Sequence, residues 1–204
     1  MKQPVKVAVL VSGGGTNLQA IIDYSKDGNL TNGNIVKVIS SKDGAYALER
    51  AKKVDIPTAV VVRKGKTQQE FEKGLLAELN ECGAEVIVLA GFMCILSKDF
   101  TDRYPERIIN VHPSLIPSFC GEGFYGLKVH EKALEYGVKV TGATVHFVNE
   151  IPDGGKIIMQ RAVKIKDNDT PEKLQKRVME QAEWKILPSA LEEVCKKITK
   201  EKQI

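Results

Sequence analysis

The sequence predicts an α/β fold with a doubly wound, mostly parallel sheet and an antiparallel extension near its C-terminal part. Apolar runs rich in Val and Ile alternate with amphipathic helical segments over the first 110 residues. This order is typical of parallel strands joined by right-handed helical crossovers. The runs show little apolar–polar alternation, as expected of strands covered on both faces. Two later apolar runs are joined by "EIPDGG", and Asp-Gly-Gly is a turn signal that favours an antiparallel pair.

Five strands with intervening helices are predicted in the first half of the chain. The predicted strands are 5–12, 34–41, 58–62, 85–91 and 107–111. The predicted helices are 18–26, 45–55, 67–82 and 97–104. Helix 67–82 carries Phe71, Leu75, Leu76 and Leu79 on one face, and Ser97 is a candidate N-cap for the short helix that follows.

The second half begins with a long loop, 113–127, before a helix at 128–137. The two further strands are 140–149 and 156–165, and a final helix runs over 171–197 with a break expected at Pro188. No repeat, low-complexity segment or linker interrupts the pattern. The sequence therefore predicts one Rossmann-like domain over residues 1–204.

The composition favours a cytoplasmic protein that handles small molecules. The net charge of +4 is modest, and no basic stripe is interleaved with aromatic residues, so nucleic acid is not an expected partner. No apolar run reaches membrane-spanning length, and the first residues lack a signal-peptide cleavage region. The four cysteines and three histidines lack metal-ligand spacing, so we expect no metal.

A glycine-rich turn, "VLVSGGGTNLQAI", lies between the first strand and the first helix. Glycines allow a ligand to approach the backbone, and the free N–H groups at a helix N-terminus suit a phosphate. The turn lacks the G-x-G-x-x-G and G-x-x-x-x-G-K-[ST] spacings, so we expect a sugar phosphate and no nucleotide cofactor. The alternative is a tight turn in which Thr16 caps the helix.

The fifth strand ends in a pair of polar residues within "RIINVHPSLIPSF". Asn110 and His112 point to the same side because a strand alternates with period 2. If the Asp-Gly-Gly turn folds over this edge of the sheet, Asp153 comes near His112 and favours its charged form. An amide N–H and an imidazolium N–H aimed at one point are suited to stabilising an oxyanion on a carbonyl.

The other candidate residues do not include an obvious nucleophile, so we expect direct attack by a substrate amine. No serine or cysteine is placed as an obvious nucleophile, and Ser114 is more simply a turn residue. His146 lies within a predicted strand and is interpreted as structural. His130 begins a helix and is interpreted as a surface or loop-packing residue. Met93, taken by itself, is interpreted as a core residue.

Five segments in order along the chain resemble the phosphoribosylglycinamide formyltransferases of the folate-dependent formyltransferase superfamily. They are "VLVSGGGTNLQAI", "VIVLAGFMCILS", "IINVHPSLIPSF", "GATVHFVNEIPDGG" and "QAEWKILP". The resemblance implies transfer of a formyl group from 10-formyltetrahydrofolate, a co-substrate, to the amine of 5-phosphoribosylglycinamide in de novo purine biosynthesis. It implies that Asn110 holds the formyl oxygen, that His112 is the acid, and that Asp153 raises the pKa of His112 and positions a water.

The resemblance also implies binding residues for both substrates. The ribonucleotide residues are Gly15, Thr16, Asn17 and Glu183. The folate residues are Gln68, Met93, Cys94, Ile95, Leu96, Asn110, Asn149, Glu150, Ile151, Pro152 and Asp153. This chain departs from the family pattern at Cys94 and Gln68, where the family often has arginine, and by one residue inserted before Glu183. Its loop 120–126 is long and rich in glycine, as a mobile lid would be.

Three other functions remain as alternatives. A formyltetrahydrofolate hydrolase shares the catalytic trio, and a methionyl-tRNA formyltransferase is a relative, but each needs a further domain that is not expected here. A non-catalytic sugar-phosphate binding protein would account for the glycine turn and leave Asn110, His112 and Asp153 without a role. A monomer and a homodimer are both compatible with the sequence.

Overall fold

The computed structural model describes residues 3–203 and contains a seven-stranded sheet with helices on both faces. The strand order is β3-β2-β1-β4-β5-β6-β7. The first five strands pair in parallel, whereas β5 pairs antiparallel with β6, and β6 pairs antiparallel with β7. The predicted fold class, including the antiparallel extension, is therefore confirmed.

The elements fall close to their predicted positions. The strands are β1 Val5–Val11, β2 Gly33–Ser40, β3 Thr58–Val60, β4 Val86–Leu89, β5 Ile108–His112, β6 Val140–Phe147 and β7 Ile157–Lys164. The α-helices are α1 Thr16–Lys26, α2 Tyr46–Lys52, α3 Gln68–Cys82, α4 Lys98–Thr101, α5 Leu127–Tyr136, α6 Pro171–Val178 and α7 Trp184–Glu201. A π-helical turn, Met179–Glu183, connects α6 to α7.

The sheet separates two apolar cores, as its strand pattern predicts. Alternate residues of β1 point to opposite faces, so Val7 and Val9 pack in one core and Ala8 and Leu10 pack in the other. The larger core includes buried residues of α1, α2, α6 and α7, and the smaller core is closed by Phe71 and its neighbours on α3. A strand buried on both faces has no polar side, which explains the continuous apolar runs.

Short polar motifs fix the starts of three helices. Thr67 and Glu70 form a capping box at α3, in which each side chain accepts a hydrogen bond from the other residue's backbone N–H. Ser97 caps α4 as predicted, since its side chain accepts from the backbone N–H of Phe100. Thr170 caps α6 in the same way, and Pro171 at the first position needs no hydrogen-bond acceptor for its nitrogen.

The expected break at Pro188 is wrong, because α7 continues through this residue. Pro188 lies inside this helix, about one turn after the π turn, and its missing N–H cannot donate to the carbonyl oxygen of Trp184. The irregularity lies instead at the π turn, which holds more residues per turn than an α-helix.

No helix within residues 3–203 has the length and apolar character needed to cross a bilayer.

Candidate active site

The cleft at the carboxyl ends of the parallel strands is built from neighbouring strands. Because β1, β4 and β5 are adjacent in the sheet, the glycine turn, the loop after β4 and the end of β5 meet at one edge. A cleft of about 740 Å³ opens there. Its lining includes these predicted site residues: Asn17, Met93, Cys94, Ile95, Asn110, His112, Pro152, Asp153 and Glu183.

Asn110 and His112 lie on the same face of β5, as period-2 alternation predicts. Ile109 and Val111, on the opposite face, pack in the larger core and hold the strand in register. The ring of His112 is almost fully buried, with the residue 4% exposed. Its Nε2 lies 2.8 Å from the carbonyl oxygen of Phe119.

Asp153 approaches His112 from the turn between β6 and β7, as expected. Its Oδ2 lies 3.3 Å from Nδ1 of His112 and accepts a hydrogen bond of 2.9 Å from the backbone N–H of Gly121. Asp153 has a left-handed backbone with φ of 56°, which an aspartate tolerates better than most residues do. Acceptors therefore face both ring nitrogens of His112, and only the imidazolium can donate to both.

The glycine that ends this turn determines where Asp153 lies. A Cβ added at Gly155 would overlap the carbonyl oxygen of Phe147 at the end of β6. We therefore expect Gly155→Ala to shift the turn and to lower kcat/KM by about 100-fold, the cost of a displacement of roughly 1 Å at a reacting centre. Kinetics of the variant measure this.

The pKa values of the pair move in the same direction. Burial lowers the pKa of His112, and it outweighs the charge of Asp153 and the carbonyl of Phe119, which raise it. Asp153 therefore acts on the pKa of His112 in the expected direction, and burial more than offsets its effect. Burial raises the pKa of Asp153, but hydrogen bonding by His146, the charge of His112 and the amide of Gly121 hold it below its usual range.

His146, interpreted from the sequence as structural, lies inside the site. The antiparallel register places it opposite Asn110, and its Nε2 lies 3.2 Å from the Asn110 amide nitrogen and 3.5 Å from Oδ1 of Asp153. Its Nδ1 lies 2.8 Å from the carbonyl oxygen of Phe147. Nε2 therefore faces both the Asn110 amide and the Asp153 carboxylate, and it accepts from the first or donates to the second according to which ring nitrogen carries the proton.

The glycine turn enters α1 through a left-handed glycine, and no side chain caps the helix. Gly15 precedes α1 with φ of 72°, and a Cβ at this position would collide with Ala47 of α2. Arg50 holds the turn by donating from Nε to the carbonyl oxygen of Gly14 at 2.8 Å. Thr16 lines a separate groove beside α1, whereas Asn17 faces the main cleft.

Glu183 and Asn17 form a buried pair on the wall of the cleft. The Asn17 amide donates to Oε2 of Glu183 at 2.8 Å, and Asn17 Oδ1 is buried with no hydrogen-bond partner among residues 3–203. Burial raises the pKa of Glu183 to about 7, against the opposing effect of Asn17. The pair therefore keeps hydrogen-bonding capacity that suits the hydroxyl groups of a sugar.

The raised pKa of Glu183 predicts a pH-dependent cost to folding. Its folded pKa of about 7 lies above the ordinary value of 4.5, so the folded state binds more protons between these pH values and the stability falls as pH rises. We expect Glu183→Gln to remove this fall, so that its melting temperature exceeds that of the parent at pH 8 but not at pH 4.5. Thermal unfolding across this range checks the prediction, and a difference independent of pH would contradict it.

Three of the four predicted folate residues in the loop after β4 line the cleft. Met93 and Ile95 are 55% and 70% exposed, so Met93 is not a core residue, and Cys94 also lines the cleft. The side chain of Leu96 packs in the smaller core, which leaves only its backbone for a ligand. Gln68 lies outside the cleft lining and donates to the carbonyl oxygen of Ile95 at 2.9 Å, so it supports the loop.

The second predicted folate loop contributes fewer side chains. Pro152 and Asp153 line the cleft, whereas Asn149, Glu150 and Ile151 do not. The Asn149 side chain instead accepts a hydrogen bond from the backbone N–H of Ile151 at 3.1 Å, within the turn. This contact shapes the turn that carries Asp153.

The long loop after β5 covers His112. Ser114 is buried and donates to the carbonyl oxygen of Ser118 at 2.5 Å, and the carbonyl of Phe119 reaches His112. The following residues, 121–126, line the cleft. The backbone of this loop therefore contacts Nε2 of His112 and Oδ2 of Asp153, and both atoms are also suited to contact a substrate.

The interpretation of His130 as a surface residue is wrong. His130 is 1% exposed, lies in the first turns of α5 and is among the residues that line the cleft. A periodic pattern around 128–137 predicts the helix but not this burial, because it does not show that α5 packs against α6.

Within residues 3–203, no group of three or more His, Cys, Asp or Glu residues is arranged to hold a metal ion.

Residues 5–191 match the formyl transferase family, and the chain belongs to this family of group-transfer enzymes. It is 44% identical over 184 residues to phosphoribosylglycinamide formyltransferase of Haemophilus influenzae, covering 90% of this chain and 84% of the relative. It therefore belongs among the phosphoribosylglycinamide formyltransferases. The chain is also 45% identical to the human trifunctional purine biosynthetic protein adenosine-3. The matched region covers 95% of this chain but only 19% of that larger protein.

Solved structures agree with this assignment. Glycinamide ribonucleotide transformylase 1 of Symbiobacterium toebii superposes with a TM-score of 0.88 at 37% identity, covering 95% of this chain and 89% of the other. The phosphoribosylglycinamide formyltransferase of Coxiella burnetii superposes with a TM-score of 0.84 at 40% identity, covering 93% and 86%. The predicted family is therefore confirmed.

Proposed function

We propose that this protein transfers the formyl group of 10-formyltetrahydrofolate to the amine of 5-phosphoribosylglycinamide, a step of de novo purine biosynthesis. The observation that carries the proposal is the convergence of Asn110, His112 and Asp153 on one cleft. A binding protein for a sugar phosphate has no need of this trio. The whole chain acts as one domain in this proposal, with no metal and no nucleotide cofactor.

The cleft has a side suited to each substrate. Asn17 and Glu183 lie on one wall, next to the N-terminus of α1, where the free N–H groups suit a phosphate. Met93, Cys94 and Ile95 lie on another wall, where exposed apolar side chains suit a flat pterin ring. Asn110 and His112 line the same cleft, so the amine and the formyl group would meet beside them.

Formyl transfer needs a donor pair for the oxygen of the tetrahedral intermediate. The amine nitrogen attacks the formyl carbon, and the carbonyl electron pair moves onto oxygen. The Asn110 amide and a protonated His112 donate to this oxygen, which is the electrostatic contribution that preorganised donors make. The carbonyl then reforms, the bond from carbon to N10 of the folate breaks, and N10 leaves with the electron pair.

The proton lost by the amine has to reach N10 of the folate. Asp153 accepts from His112 and keeps an oxygen toward His146, so it can hold a water that relays this proton. The positive charge of His112 is favoured by Asp153 and opposed by burial. A developing oxyanion beside the ring adds a second negative charge and favours the charged form further.

The loop must move for this reaction to occur. Nε2 of His112 lies within hydrogen-bond distance of the carbonyl oxygen of Phe119, whereas Nδ1 faces Asp153. The formyl oxygen can reach it only after this carbonyl withdraws. In our proposal, substrate binding therefore exchanges the contact with Phe119 for a contact with the formyl oxygen.

Direct attack by the amine accords with the state of the nearby hydroxyl and thiol groups. Ser114 is fully buried and already bonded to Ser118. Burial raises the pKa of the Cys120 thiol, which makes its thiolate scarcer at neutral pH. Neither residue is activated as a nucleophile, so a covalent formyl-enzyme intermediate is not needed.

An absorbance assay tests the proposed function. The protein is mixed with glycinamide ribonucleotide and a 10-formylfolate donor, and release of the deformylated folate is followed. Release that requires the ribonucleotide is the expected result. Release without it would indicate the hydrolase alternative, and no release in either mixture would reject formyl transfer with these substrates.

A further inference from the structure

The mechanism above gives no role to a buried carboxylate beside the loop after β4. Glu72 lies on α3 and is 8% exposed. Its Oε1 accepts hydrogen bonds from the backbone N–H of Ser97 at 2.6 Å and from the side-chain amide of Gln68 at 2.7 Å. Its Oε2 accepts from the Ser97 hydroxyl at 2.6 Å. These donors are neutral groups, and an apolar side chain at this position would avoid the cost of burying a charge.

The loop that Glu72 contacts is the one that presents exposed apolar side chains to the cleft. Residues 93–95 line the cleft and carry these side chains. At the start of this stretch, the backbone N–H of Met93 donates to Oγ of Ser12 at 2.9 Å. Beyond its end, Glu72 accepts from both the backbone and the hydroxyl of Ser97. The stretch that suits a pterin ring is therefore fixed on both sides by residues outside the cleft lining.

Gln68 extends the effect of Glu72 to the carbonyl group of Ile95. Nε2 of Gln68 donates to Oε1 of Glu72 and, at 2.9 Å, to the carbonyl oxygen of Ile95. Oε1 of Gln68 lies 3.3 Å from Nη2 of Arg63. A carboxylate only accepts and a guanidinium only donates, so these two charged groups determine which end of the Gln68 amide faces Ile95. Glu72 therefore orients the peptide groups on both sides of Leu96.

We propose that Glu72 is a positioning residue for the formyl donor, which holds residues 93–95 in the orientation that receives the folate ring. The proposal rests on the proposed function and adds to it a residue that touches neither substrate. Without the Glu72 oxygens, the loop would have to become ordered when the donor binds, and this ordering lowers affinity. The ribonucleotide should be unaffected, because its proposed contacts are the glycine turn, Asn17 and Glu183.

Two substitutions at Glu72 separate the loss of the acceptor from the loss of the charge. Glu72→Gln keeps a carbonyl oxygen for Ser97 and Gln68, and its amide nitrogen can donate to the Ser97 hydroxyl. Glu72→Leu has a similar volume and no acceptor. We expect the Kd of a 10-formylfolate donor, measured by calorimetry without ribonucleotide, to rise about tenfold or more in Glu72→Leu and by less than about threefold in Glu72→Gln. Losses of equal size in the two variants would overturn the proposal.

Steady-state kinetics distinguish positioning from a general loss of structure. In Glu72→Leu, the KM for the formyl donor should rise, whereas kcat and the KM for glycinamide ribonucleotide should stay near the parent values. This pattern is that of an interaction that serves the ground state and the transition state equally. A similar rise in both KM values would instead indicate that Glu72 has only a structural role, and the proposal would be rejected.

Glu78→Leu is the matched control on the same helix. Glu78 also lies on α3, but its carboxylate pairs with Nζ of Lys37 on β2 at 2.6 Å, so its partner belongs to the sheet and not to the loop. Its replacement should lower the melting temperature and leave the Kd of the formyl donor unchanged. A loss of donor affinity as large as that of Glu72→Leu would show that destabilising α3 is sufficient, which contradicts a specific role for Glu72.

A double variant tests whether Gln68 acts through the loop. If it does, Gln68→Leu combined with Glu72→Leu should weaken donor binding little more than Glu72→Leu alone, because groups in one network have non-additive effects. Losses that multiply would overturn the assignment of Gln68 as the link between Glu72 and Ile95. Wild-type turnover together with unchanged donor affinity in Glu72→Leu would reject the positioning role alone. If the wild-type protein does not bind the formyl donor, the proposed function fails as well.

Discussion

Replacing Asp153 by Asn is expected to lower kcat by about 10²–10⁴-fold, the usual contribution of a group that supports proton transfer. The substitution keeps the shape of the side chain and one oxygen, so the hydrogen bond from the backbone N–H of Gly121 can persist. It removes the negative charge 3.3 Å from Nδ1 of His112. Because Asp153 raises the pKa of His112 against the effect of burial, its loss lets burial lower that pKa further.

The pH profile of the Asp153→Asn variant separates this explanation from simple disruption. If protonated His112 is the active form, activity is present below its pKa and is lost as pH rises through it. A lower pKa moves this loss to a lower pH, so the residual kcat of the variant should decline at a lower pH than that of the parent. The profile is measured at saturating concentrations of both substrates.

Substrate binding supplies the control for Asp153→Asn. Glycinamide ribonucleotide is expected to bind nearly as before, because its proposed contacts lie at the glycine turn, Asn17 and Glu183. Turnover within a few-fold of the parent would show that the role given to Asp153 is wrong. A parallel loss of ribonucleotide affinity would show that the substitution disturbs the cleft beyond the turn that carries Asp153.

The parts of the site that could be predicted from sequence depend on local geometry. Asn110 and His112 are two residues apart on one strand, and period 2 alone puts them on one side. Asp153 is restricted by a short turn with two glycines, which leaves few places for its carboxylate. Motif resemblance contributed the assignment of these residues to one reaction.

The parts that could not be predicted depend on contacts between distant segments. His146 enters the site because β6 pairs with β5 in a register that puts it opposite Asn110, and an isolated strand pattern contains no register. His130 is buried on α5, which packs against the sequence-distant helix α6, so helical periodicity gave no indication of its surroundings. The irregularity of the last helix likewise lies at the π turn Met179–Glu183 and not at Pro188, and the sequence pattern did not indicate this.

Replacing His112 by Gln is expected to lower kcat by about 10²–10⁴-fold while leaving the ribonucleotide affinity nearly unchanged. Glutamine keeps a neutral donor for the formyl oxygen but carries no positive charge and cannot hand over a proton at neutral pH. Since His112 is 4% exposed and lies in β5, the amide also has to find partners among Phe119 and Asp153. Binding of the ribonucleotide by calorimetry, beside kcat, shows whether the variant is folded.

The double variant decides whether His112 and Asp153 act as one unit. If Asp153 works only through His112, then Asp153→Asn in the His112→Gln background should cost little more than His112→Gln alone, because residues that act together have strongly non-additive effects. The two losses would instead multiply if Asp153 held the relay water independently of the imidazole. A protein that only binds a sugar phosphate would have no turnover to lose in any of these variants. The thermodynamic cycle, measured as kcat for the four proteins, therefore tests both the chemistry and the 3.3 Å contact through which we expect it to operate.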